Sequence, residues 1–267
     1  FVIVESAFTH KGDKRNLKFN PKKFEKFKNK IIYLIYQNEP DGIRLVNEKD
    51  DHGTKSLKYI LNAGKRENGQ RNFIIKGLKT AKDNDIILIS DVDEIPNISN
   101  INFNNINEKI IMFRQDMFHY KFNLKVPNFE WIGTKACRKK NLLSPQWLRN
   151  VRDKKYSIFR LDLLFSKKKY NNIKFIEKGG WHFSNIKSPK EIQHKLKSYL
   201  HHREFDIQKL SEEDIAEIIK NKQAIYDLKV DKKVNKIGKG SKLERLDFEK
   251  LPKYILENKK KFERWLD

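Results

Sequence analysis

The chain carries one cysteine, Cys137, in 267 residues. No intrachain disulfide can form, so the fold does not depend on oxidation. No apolar run approaches the length that spans a bilayer, and no signal-peptide pattern opens the chain. The residues as read are therefore expected to behave as a soluble protein, and the compartment stays open. The chain begins abruptly inside an expected strand, Phe1–Val4, as if a segment preceded it. Internal repeats and low-complexity linkers are missing too. Acidic residues are scarce: 35 Asp and Glu stand against 58 Lys and Arg, a net charge of +23. Such a field draws nucleic acid, anionic membranes or anionic small molecules. The basic residues are spread out, as in Lys22 to Lys30, Arg138-Lys139-Lys140, Lys167-Lys168-Lys169 and Lys259-Lys260-Lys261. No RRM or zinc-finger module accompanies them, so they read as solvated faces and no specific nucleic-acid partner is expected.

What is present suffices for a core: 38% hydrophobic residues and 12% aromatic. Short β-rich runs at Phe1–Glu5 and Ile31–Tyr36 predict strands. Gln37 to about Lys55 reads as a long polar loop. Phe73, Ile74, Leu78 and Ala81 fall at helical spacing, predicting a helix from about Asn68 to Lys82 with Gly77 at a close contact. Further strands are expected at Ile110–Phe113, Phe118–Phe122, Tyr156–Phe165 and Ile173–Ile176. The stretch from Trp131 to Trp147 is irregular and aromatic. Ser188-Pro189-Lys190-Glu191 is a helix start, with Ser as N-cap, Pro at N1 and Glu at N3, for a helix to about Arg203. Ser211 opens another, running through Ile225. Residues 230–245 read as a surface excursion, and Pro252 to Leu266 as a last helix. Strands interleaved with helices, then helices alone, predict an α/β fold with a helical C-terminal tail over 188–267.

The centre of this pattern is Asp85-Ile-Ile-Leu-Ile-Ser-Asp-Val-Asp-Glu-Ile-Pro96. Ile86 to Ile89 reads as a strand buried on both faces in a parallel sheet. In open α/β sheets, ligands sit beyond the carboxyl ends of strands. Asp91 and Asp93 are two apart, so an extended backbone would send both carboxylates to one side. Hard oxygen ligands there suit Mg²⁺ or Mn²⁺, and such a cation suits a diphosphate. With 17 Asp in the chain, about one such spacing arises by chance. Asp83-Asn84-Asp85 is the decoy, placed at the amino end of the strand where a turn is expected.

These segments together resemble glycosyltransferase family 17. The resemblance rests on Phe1-Val-Ile-Val-Glu-Ser6 with Thr9 and Gly12, Gln70-Arg71-Asn72, Asp91-Val-Asp-Glu-Ile-Pro96, and Gly180-Trp-His-Phe-Ser184 followed by Lys195-Leu-Lys-Ser198. Leu251-Pro-Lys-Tyr-Ile-Leu-Glu-Asn258 resembles the family's ending. The matches run in order from residue 1 to about 260. The resemblance implies a single GT-A glycosyltransferase domain over 1–267, with a mainly parallel central sheet flanked by helices. It implies inverting transfer of a sugar, GlcNAc from UDP-GlcNAc being the type reaction, to a glycan or glycoprotein acceptor, with Mn²⁺ or Mg²⁺ as cofactor. Family members carry a strand and a Phe-Asn-Glu-like segment upstream of the position of Phe1.

Residue by residue, the resemblance puts Asp91 and Asp93 on the metal, with Asp91 also facing the donor. His182 either completes the metal sphere or is a half-buried histidine capping the Ser184 turn. Glu5 and Ser6 would meet the uracil, and Arg71-Asn72 the nucleoside, against the alternative of a surface salt bridge for Arg71. Lys195 would reach the diphosphate or remain solvated. Inversion needs a general base near the acceptor hydroxyl. Glu177 is the first candidate, with Glu94, Glu130 and Glu204 also eligible. A basic polyanion-binding protein on an inactive transferase core, or a transferase using another nucleotide sugar, would share these features.

Overall fold

The computed structural model describes residues 1–154, 156, 161–163, 165–198, 209–226 and 240–267. The chain divides into two compact units: Phe1–Lys82, Ser144–Gln146 and His194–Lys209 in the first, Asp83–Leu143, Trp147–Gln193 and Leu210–Asp267 in the second.

In the first unit, β1 (Val2–Ser6) and β2 (Ile32–Tyr36) pair in parallel, from Val2 opposite Ile32 to Ser6 opposite Tyr36. A 3₁₀ segment, Pro21–Lys30, joins them and is exposed throughout. Helix α1 (His52–Asn72) follows and tightens into a 3₁₀ turn over Phe73–Gly77. It starts sixteen residues before the predicted Asn68, because the polar Asp50-Asp51-His52 cluster is a helix start and not loop interior. The Asp51 carboxylate accepts the Thr54 N–H at 3.0 Å, satisfying one of the donors that a helix leaves open at its first turn. A strong apolar stripe would have revealed this helix, but its buried positions include Asn62 and Arg66 beside Ala63. Gly77 is at the expected close contact: a Cβ there would lie 2.5 Å from Val2 Cγ1.

The second unit holds two sheets. The strands are β3 (Ile86–Ile89), β4 (Glu94–Pro96), β5 (Ile110–Phe113), β6 (Gln115–His119), β7 (Leu124–Trp131) and β8 (Lys135–Arg138). After a short helix, α2 (Pro145–Asn150), come β9 (Ile173–Ile176) and β10 (Gly180–Ser184). Helix α3 (Pro189–Ser198) and helix α4 (Glu212–Lys220) precede β11 (Glu244–Arg245), and α5 (Lys253–Glu257) and α6 (Lys259–Phe262) end the chain. One sheet has the order β3-β8-β5-β9 and the other β11-β7-β6-β10-β4.

The pairings among the described residues are mixed, not mainly parallel. Only β1–β2, β10–β6 and β5–β9 are parallel; β3–β8, β5–β8, β10–β4, β6–β7 and β11–β7 are antiparallel. The isoleucine run of β3 is an edge strand with alternating burial, not a strand covered on both faces. That description fits β5, whose Ile110, Ile111, Met112 and Phe113 are all buried. Four apolar residues in a row cannot separate an edge strand from a central one, since either side of the edge strand can pack on a neighbour. Ile86 and Leu88 do so, against Ile111, Phe113 and Ala136.

Both predicted capped helix starts form. Ser188 and Glu191 bond reciprocally at the head of α3, and Ser211 and Asp214 do the same at α4. The helical tail is more varied than predicted. β11 joins β7, α4 ends at Lys220, and the last stretch is broken into α5, α6 and a 3₁₀ turn at Glu263–Trp265. Leu251 and Ile255 close a core around Phe118 and Phe183. Of the strand predicted at Tyr156–Phe165, residues 157–160 and 164 lie outside the described residues, and Leu161–Leu163 forms a 3₁₀ turn. The end of the predicted Arg203 helix, the candidate Glu204 and most of the 230–245 excursion also lie outside them.

Candidate functional site

At the carboxyl end of β3 the chain reverses instead of running on. The Glu94 N–H donates to the Asp91 carbonyl at 3.0 Å, closing a turn with Val92 fully exposed at its tip. The extended geometry expected from the two-residue spacing is therefore absent, and the two aspartates meet different partners. Asp91 Oδ2 accepts from Arg149 Nη2 at 2.8 Å. Asp93 Oδ1 lies 3.5 Å from His182 Nε2.

His182 arrives on β10, which pairs with β4 so that His182 stands opposite Glu94, and with β6 so that it stands beside Met117. The Phe183 N–H donates to the Asp93 carbonyl at 2.8 Å, fixing the turn to the strand. The glycine before Trp181 is needed for this approach: Gly180 has φ +130°, and a Cβ there would sit 2.1 Å from the Ile95 carbonyl oxygen. The imidazole is largely buried, and its ring centroid is 5.1 Å from that of Trp131. Its Nδ1 is buried without a hydrogen-bond partner. Ring contact and strand pairing, not a second hydrogen bond, hold its orientation.

Glu94 is the best-satisfied carboxylate of the group. Its side chain is fully enclosed and accepts from Trp131 Nε1 at 2.8 Å, Arg149 Nη1 and Nη2 at 2.9 and 3.0 Å, and the Asp91 N–H at 2.9 Å. Both oxygens are occupied by donors, so Glu94 is a bracket that joins the turn, Trp131 and Arg149. A general base must take a proton from a substrate hydroxyl, and this carboxylate has no approach for one. Arg149 also donates to the Gly133 carbonyl. Gly133 leaves the room: a Cβ there would be 1.9 Å from Glu94 Oε1 and 2.3 Å from Trp131 Nε1. Lys135 then fixes the backbone that carries Arg149, since its Nζ donates to the Arg149 and Val151 carbonyls at 2.8 and 2.5 Å. Burial pulls the Lys135 ammonium down to about 8, with the nearby Arg149 charge adding to the effect.

Glu177 is exposed and shares Arg114 with Glu130: Arg114 Nε lies 3.2 Å from Glu177 and Nη1 3.1 Å from Glu130. Asp83 to Asp85 is the turn expected of the decoy, with the Asp83 and Asp85 carbonyls accepting from the Lys140 and Lys139 N–H groups.

In the first unit, Glu5 and Ser6 end β1 as expected, but Glu5 turns inward. It accepts from Arg15 Nη2 and the Lys18 N–H at 2.7 Å, the Tyr33 hydroxyl at 2.9 Å and the Phe19 N–H at 3.0 Å. Burial pushes its carboxyl up, yet these donors outweigh burial and hold it below the usual range. A carboxylate so engaged ties down the 15–19 loop and is not offered to a uracil. Ser6 Oγ accepts the Phe8 N–H at 3.1 Å. Arg71 donates to Gln146 Oε1 and Glu67, and Asn72 accepts the Gln146 N–H at 3.0 Å, so Arg71 holds the Gln146 side chain and Asn72 its backbone. Lys195 is half-buried on α3.

Residues 1–267 match the family model for glycosyltransferase family 17. The chain belongs to glycosyltransferase family 17. No curated protein and no solved structure matches it.

For a family 17 glycosyltransferase the question is whether the turn suits a divalent ion. Among the described residues, no three His, Cys, Asp or Glu side chains gather at metal-holding separation. The Asp93–His182 pair does fit one. At 3.5 Å the two atoms are too far apart for a strong hydrogen bond, and both are donors of the kind a divalent ion takes. Carboxylate oxygen with imidazole nitrogen suits Mn²⁺. Reading the sequence of this transferase missed Arg149, Trp131, Gly133 and, in the first unit, Arg66, which is buried and bonds Glu39 and the His10 and Lys11 carbonyls. None lies in a motif. Only Trp131 and Gly133, in the irregular aromatic stretch, left a signal.

Proposed function

We propose that this family 17 glycosyltransferase moves a sugar, GlcNAc by the family's type reaction, from a UDP-sugar to a glycan hydroxyl with inversion. Asp93 and His182 hold the divalent ion, Mn²⁺ or Mg²⁺, with Asp91 on the opposite limb of the same turn. The reading is supported above all by the meeting of Asp93 with His182, two residues remote in sequence, across the β4–β10 pairing. When bound, the ion would neutralise charge developing on the departing diphosphate. Arg149 and Glu94 keep the turn in shape, and Trp131 keeps the imidazole facing Asp93. Glu177 remains the candidate base, with Glu130, which shares Arg114 with it, as the other.

The test is stabilisation of the protein by UDP-GlcNAc and other UDP-sugars with and without Mn²⁺, since a ligand that binds the folded state raises Tm. The metal-dependent part of the shift is expected to vanish in Asp93→Asn and fall in His182→Ala, and to survive in the decoy variant Asp83→Asn/Asp85→Asn. Donor stabilisation indifferent to Mn²⁺, or equally lost in the decoy variant, would refute the assignment. Salt-sensitive DNA binding with no donor stabilisation would favour the polyanion-binding reading.

A further inference from the structure

The 3₁₀ segment between β1 and β2 has no role in the site described above. Over Pro21–Lys30 it reads Pro-Lys-Lys-Phe-Glu-Lys-Phe-Lys-Asn-Lys, and every residue is exposed. Phe24 and Phe27 stand 42% and 46% exposed, and Leu17, just upstream, 41%. Two phenylalanines are held half-open amid five lysines. Around them, Arg15 is paired with Glu5 and Lys28 with Glu25, while Lys14, Lys18, Lys22, Lys23, Lys26 and Lys30 have no acidic side chain in ion-pair contact among the described residues.

We infer that this strip is a peripheral docking surface for an anionic lipid bilayer, with Leu17, Phe24 and Phe27 entering the interface and the lysines meeting the headgroups. The composition is that of interfacial segments: apolar side chains set among basic ones, with low overall hydrophobicity. The rings argue against a nucleic-acid strand as the occupant. Phe24 stacks on Phe19 with centroids 5.3 Å apart and planes 15° from parallel, and the Lys26 ammonium sits 5.7 Å from the Phe27 centroid. Each ring thus has one face taken, so it could carry one base but could not sit between two successive bases of a strand. Ring edges and the Leu17 side chain are what an acyl boundary would receive. Docking of this kind would hold the enzyme against a surface where lipid-linked or membrane-borne acceptors are concentrated.

Co-sedimentation of the full chain with vesicles tests this. Binding is expected to vesicles of phosphatidylcholine containing phosphatidylglycerol, to be weak or absent with phosphatidylcholine alone, and to fall as salt rises. Each lysine at the surface contributes about fivefold in affinity, so Lys22→Gln/Lys23→Gln/Lys26→Gln should weaken binding about a hundredfold. Phe24→Ser/Phe27→Ser should also weaken it, at least tenfold, while Tm falls only by what the Phe24–Phe19 stack contributes. Unchanged vesicle binding in either variant would overturn the proposal. So would binding that depends on the lysines but not on the phenylalanines and is matched by duplex DNA, which would mark a nucleic-acid face. Donor stabilisation by UDP-sugars should be the same in all variants, so failure here is distinguishable from failure of the transferase reading.

Discussion

Glu94 and Arg149 offer the sharpest quantitative test of how the Asp91–Glu94 turn is held. Replacing Arg149 with Met removes the only cation bonded to Glu94 among the described residues and leaves a fully enclosed carboxylate with the Trp131 and Asp91 N–H groups. Removing one member of a buried pair costs about 3–5 kcal/mol, because the survivor's desolvation is no longer offset. In a chain of this size, each kcal/mol moves Tm by roughly 2–4 °C, so the expected fall is roughly 6–20 °C. Glu94→Gln keeps an oxygen for the Trp131 N–H but strands the guanidinium on Asp91 and the Gly133 carbonyl, and should cost a similar amount. Combining the two substitutions leaves neither charge uncompensated. The double variant should therefore lose less than the sum of the single losses, by about 0.5–3 kcal/mol. Thermal denaturation of the four proteins, without ligand and at two salt concentrations, reads this directly. Salt should change the coupling little, since buried pairs are weakly screened. Strict additivity, or an Arg149→Met variant within the error of the parent, would refute the bracket.

Other outcomes follow from the same geometry. Gly133→Ala forces a methyl into the space of Glu94 Oε1 and should cost about 1–3 kcal/mol, with altered Trp131 fluorescence; an unshifted Tm would contradict it. Glu5 has a lowered carboxyl pKa in the fold, so its stabilising contribution is present above the ordinary value of 4.5 and is lost as pH falls through the folded value. The stability gap between the parent and Glu5→Gln should accordingly close on acidification, as followed by urea denaturation. Lys135 has a folded pKa near 8 against 10.5 for the free side chain, so the unfolded chain binds the extra proton between those values. Parent stability relative to Lys135→Met should rise with pH across that window, and a flat difference would show that the ammonium is not desolvated.

Some of this was legible in the sequence because local chemistry dictated it. Ser188 with Glu191, and Ser211 with its acidic neighbours, specify helix starts by hydrogen bonds that form within four residues. Gly77 was readable as a point of close approach. The tandem of Asp91, Asp93 and a Gly-Trp-His segment pointed to a shared site, and Asp93 with His182 is what the fold brings together. The edge position of β3 was not legible, since its antiparallel partner β8 lies in a stretch with no clear period. Nor was the turn at Val92, because a two-residue spacing fits a reverse turn as well as a strand. Arg149 was hidden for a related reason: a lone arginine in so basic a chain carries no sign of which carboxylate it will find. Glu5 and Glu94 show the opposite hazard, since a motif carboxylate can be spent on the scaffold that presents the site.

Val92 sits at the outermost point of the turn, flanked by both aspartates, while the chain's sole thiol, Cys137, is buried with its pKa pushed up to about 12 by burial. A cysteine introduced at Val92 would therefore be the one sulfur that a maleimide or spin label reaches at neutral pH, with no background to subtract. An observer could thus be planted between the two acidic limbs, reporting the arrival of an ion or a nucleotide without any turnover being measured.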